Sequence, residues 1–425
     1  MNVLRWTAMK AVIISVGTEL VTGRCVDTNA AWLAGQLVLL GISPIRNVTV
    51  GDEVEAIKSA IELALAESDV VCVSGGLGPT PDDLSRHALA EAIGQSLIED
   101  ADTLSQLEAF FDALERPMPE SNKRQALVPR GCHVIPNPRG TAPGIHFRGP
   151  GAQLFALPGV PAEMKATFET YVRDLLADTR RTVCPGSARL LCYGVSEAWI
   201  GEVLADLMTV ESNPTVGITA SEAVIAVHVH ATARDKAEAE VLVDSAAAEI
   251  RARLGHACFG IGSDTLQLAV VRLLCKRRLT IATAESCTGG LLAACMSDEP
   301  GSSAYFMRGY VVYANTAKSD LLGIPHAMLE GHGAVSEPVA NEMALRCREK
   351  AGVDLAVSIT GIAGPGGGDP PRKPVGLVFV GLAHDTGVIV KRVLLGSHLT
   401  RGEIRDRACK TALNLVRLHL LDVVV

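Results

Sequence analysis

Short runs of apolar, β-branched residues alternate along most of this chain with stretches whose apolar positions recur every three or four residues. Near the start, "KAVIISVG" (10–17) and "DVVCVSGG" (69–76) read as strands buried on both faces, and "SPIRNVTVG" (43–51) as a third strand. Between them, "NAAWLAGQLVLLG" (29–41) and "DEVEAIKSAIELALAES" (52–68) carry helical spacing. The order is βαβαβ, which predicts a parallel sheet covered by helices on both faces. "GAQLFALPGVPAEMKATFETYVRDLLAD" adds a strand, a turn and a helix to about residue 178, with a boundary expected in "TRRTVCPGS". Residues 187–255 form a different, smaller unit: strand "ARLLCYGV", helix "SEAWIGEVLADLM", strands "TVGITA" and "AVIAVHVHATA", then a helix from Asp235 to Leu254. That pattern is α+β. From 262 to 425 the α/β alternation resumes, through strands "LTIATAE", "YFMRGYVVYA", "DLAVSITG", "VGLVFVGLAH" and "GVIVKRVLLG", and ends in a helix from about Arg401. The expected fold class is α/β: two α/β domains with mainly parallel sheets (9–178 and 262–425) joined by a small α+β domain (187–255).

Length and composition narrow the classes. A chain of 425 residues exceeds a single core. Its apolar runs fall short of the ~18 residues a membrane span needs, so a soluble protein with no membrane partner is expected. The first residues lack a leader pattern, and Met9 is a plausible start with eight residues before it. Eleven cysteines without a C-x-x-C pair point to reduced thiols, a cytoplasmic location and no zinc. A net charge of −8 argues against a broad nucleic-acid footprint. His228 and His230 share a strand face but have no third ligand nearby in sequence, and "CKRR" (275–278) reads as a solvated helix end.

Chemistry concentrates at strand ends. "SVGTELVTG" (15–23) and "SGGLGPTPDDLSR" (74–86) follow buried strands, at the edge where open α/β sheets bind ligands. Gly75, Gly76 and Gly78 allow backbone N–H groups to reach an anion, with a helix expected to begin near Thr80 to Asp83. Asp82 and Asp83 either cap that helix or, with Glu19 and Asp27, hold a hard divalent cation against a pyrophosphate. In the last third, "AESCTGG" (284–290) is a strand, tight turn and helix start, where an attacking oxygen or sulfur would sit at a helix N-terminus that doubles as an oxyanion cradle. A plain serine cap fits the same segment. "YVVYANTAKSDLLG" puts Lys318 in a helix's first turn, an unfavourable place for a cation and one where a desolvated lysine could serve a serine as base. Tyr313 would orient the amine or pack on the core. "SITGIAGPGGG" (358–368) is a ligand-wrapping loop, and Arg401, Arg405 and Arg407 offer a clamp for phosphate or carboxylate.

"GTELVTG…DTN", "GGLGPTPDD", "NPRGTAPG" and "LPGVPAEM" resemble the molybdopterin-binding-like domain of the CinA (competence/damage-inducible) family. "AESCTGG", "VVYANTAKSDLLGI", "GAVSEPVA" and "SITGIAGPGGG…KPVG" resemble that family's C-terminal nicotinamide-nucleotide amidase domain. The resemblance spans nearly the whole chain apart from residues 1–8, and places a KH-type-like connector or dimerisation module in the middle, although 187–255 has no G-x-x-G clamp. It implies deamidation of nicotinamide mononucleotide (NMN) by Ser286, with Lys318 as base, Tyr313 beside it and Cys287 buried behind the turn. Thr288, Gly289, Gly290, Asn315, Thr360, Gly361, Gly364, Arg401 and Arg405 would surround the substrate, with no cofactor. In the N-terminal domain it implies hydrolysis of ADP-ribose, with a divalent metal (Mg, Mn or Co type) on Glu19, Asp27, Asp82 and Asp83, and with potassium. Asn29, Gly75, Gly76, Gly78, Thr80, Asn137, Thr141 and Pro158 would bind the nucleotide there. A homodimer is expected. "GSHLTR" replaces the shorter turn usual before the arginine helix, which loosens the arginine register. The rival readings are a molybdopterin-related nucleotide transferase and a non-enzymatic competence or DNA-repair accessory protein.

Overall fold

The computed structural model describes residues 9–177, 184–209, 212–367 and 372–423. Residues 1–8, most of the expected boundary after 178 and Gly368 lie outside them. The chain divides into two compact units, one of residues up to Ser187 with Ala231–Leu242, the other of Ala188–His230 with Val243 onward.

The first unit's strands are β1 (Lys10–Val16), β2 (Ser43–Val50), β3 (Val70–Ser74), β4 (Leu97–Glu99), β5 (Leu127–Pro129), β6 (His133–Ile135), β7 (Gly144–Arg148) and β8 (Gln153–Leu157). Six form one sheet in the order β2-β1-β3-β8-β7-β6. Its first three pairings are parallel and the last two antiparallel. The apolar runs are continuous because both faces are covered. Val12, Ile14, Val71 and Val73 meet Ile57 and Ile61 on one side, while Ala11, Ile13 and Cys72 join the core of Leu33, Leu37 and Phe168 on the other. The helix after β8 starts with Pro161 and runs through one wide turn, Phe168–Val172, to Ala177.

Next come β9 (Cys184–Cys192), β10 (Thr215–Ser221), β11 (Val224–Ala233) and β12 (Cys258–Ile261), in the order β10-β11-β9-β12. The edge strand β12 was not foreseen, since four residues carry too little alternation to register. His228 and His230 stack their rings, and Thr219 Oγ1 lies 2.8 Å from His228 Nε2.

The last sheet holds β13 (Ile281–Glu285), β14 (Phe306–Val311), β15 (Leu355–Gly361), β16 (Leu377–His384) and β17 (Gly387–Leu394), in the order β14-β13-β15-β16-β17. β13 pairs in parallel with β14 and β15, and the β15-β16-β17 half is antiparallel. Ile281, Val357 and Ile359 face the helices Leu266–Arg277 and Arg401–Leu420, whereas Ala282, Ala284 and Ala356 face Glu337–Ala351. Small residues on that second face let the long helix sit close to the sheet. No helix among the described residues is long and apolar enough to cross a membrane.

Candidate active sites

β13 ends in Glu285, a carboxylate with no exposure at all. It accepts the N–H groups of Gly290 (3.0 Å), Leu292 (3.0 Å) and Ala293 (2.7 Å), at the start of the helix Leu291–Ser297. The orphan donors of that helix end are therefore taken. Two expectations change together: Ser286 is not the cap, and the helix N-terminus is not the oxyanion cradle. Within this turn, the N–H groups that meet no oxygen acceptor among the described residues are those of Cys287 and Thr288. Gly290 makes this turn possible with φ +94°, a conformation that L side chains rarely adopt.

Ser286 is 8% exposed, and its Oγ lies 3.1 Å from Lys318 Nζ. Lys318 is 1% exposed, and Nζ also donates to the carbonyls of Val312 (2.9 Å) and Tyr313 (3.2 Å). Burial lowers its pKa below the ordinary lysine value, an effect that Cys287 only partly opposes. Nζ thus has three acceptors, Ser286 Oγ and two carbonyls; once the amine is neutral, two N–H bonds can stay on the carbonyls and the lone pair faces the Ser286 hydroxyl. Cys287 sits in the core, where burial pushes its thiol up to about 11. A thiol so disfavoured as thiolate is a poor nucleophile.

Tyr313 is 59% exposed, so it is not a packed core aromatic. Its carbonyl meets Lys318, but its hydroxyl accepts Arg401 Nη2 at 2.9 Å instead of orienting the amine. Arg401 Nη1 donates to Gly364 O at 2.7 Å, so one guanidinium joins the tyrosine to the glycine loop. Arg405 holds the Thr288 carbonyl through Nε (3.2 Å) and Nη2 (2.7 Å). A capping box of Thr400 and Glu403 sets this helix start, which resolves the arginine register. Thr360 spends its hydroxyl on Ala334 O (2.8 Å), and Gly361 passes so near Leu377 O that a Cβ would lie 2.8 Å from it. Thr288 Oγ1 is buried with no partner. Asn315 is exposed at the start of a helical turn, and the structure gives it no further role.

In the first unit, a cleft of about 550 Å³ opens at the carboxyl ends of β1, β3 and β8. Glu19, Asp27, Asn29, Gly75, Gly76, Gly78, Asp82, Asp83, Thr141 and Pro158 all line it. Thr80 and Asn137 act from behind. Thr80 donates to Asp83 through N (2.8 Å) and Oγ1 (2.6 Å), and Asn137 donates to Glu163 at 2.6 Å. The helix beyond the loop starts at Ser85 rather than near Thr80, so Asp83 closes a turn and does not cap a helix. Asp27 does cap one, accepting from Ala30 N at 2.9 Å.

The glycine loop turns its carbonyls inward. Ser85 Oγ takes Gly75 O at 2.7 Å, Arg86 holds the carbonyls of Leu77 and Gly78, and Arg124 holds that of Thr80 at 2.7 Å. Among the described residues, the N–H groups of Gly76, Leu77 and Gly78 meet no protein acceptor, so they are available to an anion. Gly75 has φ +107°, and a Cβ there would strike Val16 O. The acidic lining is hard oxygen chemistry, yet no three His, Cys, Asp or Glu side chains among the described residues gather into a ready-made ion cage.

Residues 12–178 match a probable molybdopterin binding domain, 187–260 the damage-inducible protein CinA KH domain, and 263–420 the CinA C-terminal domain. A CinA-like protein of Kosmotoga olearia is 41% identical over 98% of this chain and all of its own length. The chain belongs to the CinA family. A second CinA-like protein, from Geobacter metallireducens, is 42% identical over 97% of this chain and 100% of its own. A solved CinA of unknown function from Thermoplasma acidophilum is 37% identical over 40% of this chain and 98% of its own, with a TM-score of 0.38.

Two residues of this CinA chain went unread. Glu285 is a charge at the end of an otherwise apolar buried strand, a signal that was available. Arg86, 1% exposed beneath the glycine loop, looked like one more polar residue of a helix start.

Proposed function

We propose that the C-terminal domain is an amidohydrolase that converts NMN and water to nicotinate mononucleotide and ammonia. The observation that carries this reading is Lys318 Nζ, buried, partnered by two backbone carbonyls and 3.1 Å from Ser286 Oγ. Lys318 takes the hydroxyl proton as Ser286 Oγ attacks the carboxamide carbon. The N–H groups of Cys287 and Thr288 stabilise the oxyanion. Lys318 returns the proton to the departing ammonia, and water then resolves the Ser286 ester by the same route in reverse. NMN as the substrate rests on the family resemblance. Arg401 and Arg405 border the turn and the glycine loop, where a 5′-phosphate would find its charge partner. Purified wild-type, Ser286→Ala and Cys287→Ala proteins, each confirmed as folded, test this by ammonia release from NMN. The reading requires an active wild type and a dead serine variant. A wild type that releases nothing overturns it.

For the N-terminal cleft the reading is an ADP-ribose pyrophosphatase, supported by the outward N–H groups of the glycine loop beside an acidic wall. One or two of Glu19, Asp27, Asp82 and Asp83 would hold a divalent metal, which would supply charge neutralisation of the pyrophosphate. A potassium requirement and a homodimer belong to the same proposal. AMP release from ADP-ribose, with and without a chelator, is the check.

A further inference from the structure

Neither site uses the cysteine pair in the four-stranded sheet. β9 and β12 run antiparallel with Cys192 opposite Cys258. Tyr193 N–H donates to Ala257 O at 3.0 Å, which makes the adjoining Cys192/Cys258 rung a non-hydrogen-bonded one. The register shifts only beyond the pair, between Cys258 and Gly260, and facing side chains come closest on such rungs, with Cα atoms about 4.5 Å apart in regular sheets. That lies within the roughly 4.4–6.8 Å a disulfide spans. The register puts both side chains on the same face of the sheet, where Cys258 Sγ also lies 3.8 Å from Gly260 O.

The pair is also asymmetric. Cys192 is fully buried, whereas Cys258 is partly exposed on the edge strand. The bond from Cys192 is the main influence holding Cys258 below the usual thiol range; burial opposes it, and the Arg251 charge adds to it. Arg417, 2% exposed, is pulled down by burial while the neighbouring Cys258 sulfur opposes that, and its guanidinium is tied to His256 O and Asn414 Oδ1. By contrast, burial raises the thiols of Cys72 and Cys347 to about 12. Reactive thiols are partly exposed and near positive charge, which describes Cys258.

We propose that Cys192 and Cys258 form a dithiol modification site that hydrogen peroxide oxidises to a cross-strand disulfide. The Cys258 thiolate attacks one peroxide oxygen, the O–O bond breaks, and the other oxygen leaves as water after taking a proton; Cys258 becomes a sulfenic acid. Cys192 sulfur then attacks Cys258 sulfur, and the hydroxyl departs with the Cys192 proton as a second water. Two thiols are oxidised to one disulfide while one peroxide is reduced to two waters. A thiol reductant restores the pair.

The test uses the full-length protein with stoichiometric hydrogen peroxide, followed by alkylation and peptide mapping by mass spectrometry. The expected product is a Cys192–Cys258 linked peptide, formed before any other cysteine is oxidised and lost with dithiothreitol. Cys192→Ala should trap the Cys258 sulfenic acid as a dimedone adduct, and Cys258→Ser should abolish both products. The wild-type map decides the matter even where a variant fails to fold. Exposed thiols such as Cys25 or Cys275 reacting first, with Cys192 and Cys258 still alkylated as free thiols, would overturn the proposal.

Discussion

The two candidate sites of this CinA chain use the same edge of the same kind of sheet, and they differ in what they bury. In the C-terminal domain a turn after β13 encloses Lys318 and Ser286 almost completely. In the N-terminal unit the loop after β3 opens on an acidic cleft of about 550 Å³. Its buried cation, Arg86, lies under the loop and holds carbonyls instead of facing the cleft. Burial serves opposite ends. Desolvation turns a lysine into a base, whereas a guanidinium keeps its proton and acts by shaping backbone. Even a guanidinium pulled down by burial to about 10 stays charged at neutral pH.

The sharpest way to break the comparison is at the serine. Ser286→Ala should lower NMN turnover by about 10⁴-fold or more, while Cys287→Ala should stay within about threefold. Next is Lys318→Met, which should cost about 10²–10⁴-fold in kcat with ADP-ribose hydrolysis untouched. The same variant should be no less stable than wild type in urea, because it removes a buried amine. pH adds a signature. The folded-state pKa of Lys318 is depressed below its unfolded value of about 10.4, so between the two the unfolded chain binds the extra proton. Stability and amidase activity should both rise with pH through that window, and Lys318→Met should flatten the stability gain.

On the other side, Gly75→Ala forces a left-handed residue against Val16 O and should cost about 1–3 kcal/mol. Nucleotide binding in the cleft should fall while NMN turnover persists. Smallest is Arg86→Lys, which keeps the charge but loses the fork that spans two carbonyls. It should raise the KM for ADP-ribose several-fold with little change in kcat. A loss confined to kcat would make Arg86 something other than a positioning residue.

Much of this was legible in the chain. Runs such as Val12–Ile14 and Val70–Val73 are apolar at every position because both sheet faces are covered, and that pattern announces a parallel sheet. Lys318 stood out because a cation is unfavourable in a helix's first turn, and Ser286 and the glycine turns because they sit at strand ends, although a plain serine cap fit the same segment. Illegible were partnerships made in three dimensions. Glu285 reaches forward to three N–H groups, Asp83 folds back on Thr80, and Tyr313 gives its hydroxyl to an arginine 88 residues away. Spacing locates a side chain on a strand or turn, but it does not say which donor it will meet. The short strand β12 was missed for a related reason, since its pairing with β9 comes from the tertiary fold.

The central claim is that oxygen, not sulfur, attacks in "AESCTGG". Rapid acid quench of wild-type protein turning over NMN, followed by peptide mass spectrometry, reads this directly. The account predicts an ester of Ser286 with the carboxyl carbon of nicotinate mononucleotide, ribose 5′-phosphate still attached, absent from Lys318→Met. The corresponding thioester on Cys287 would contradict it.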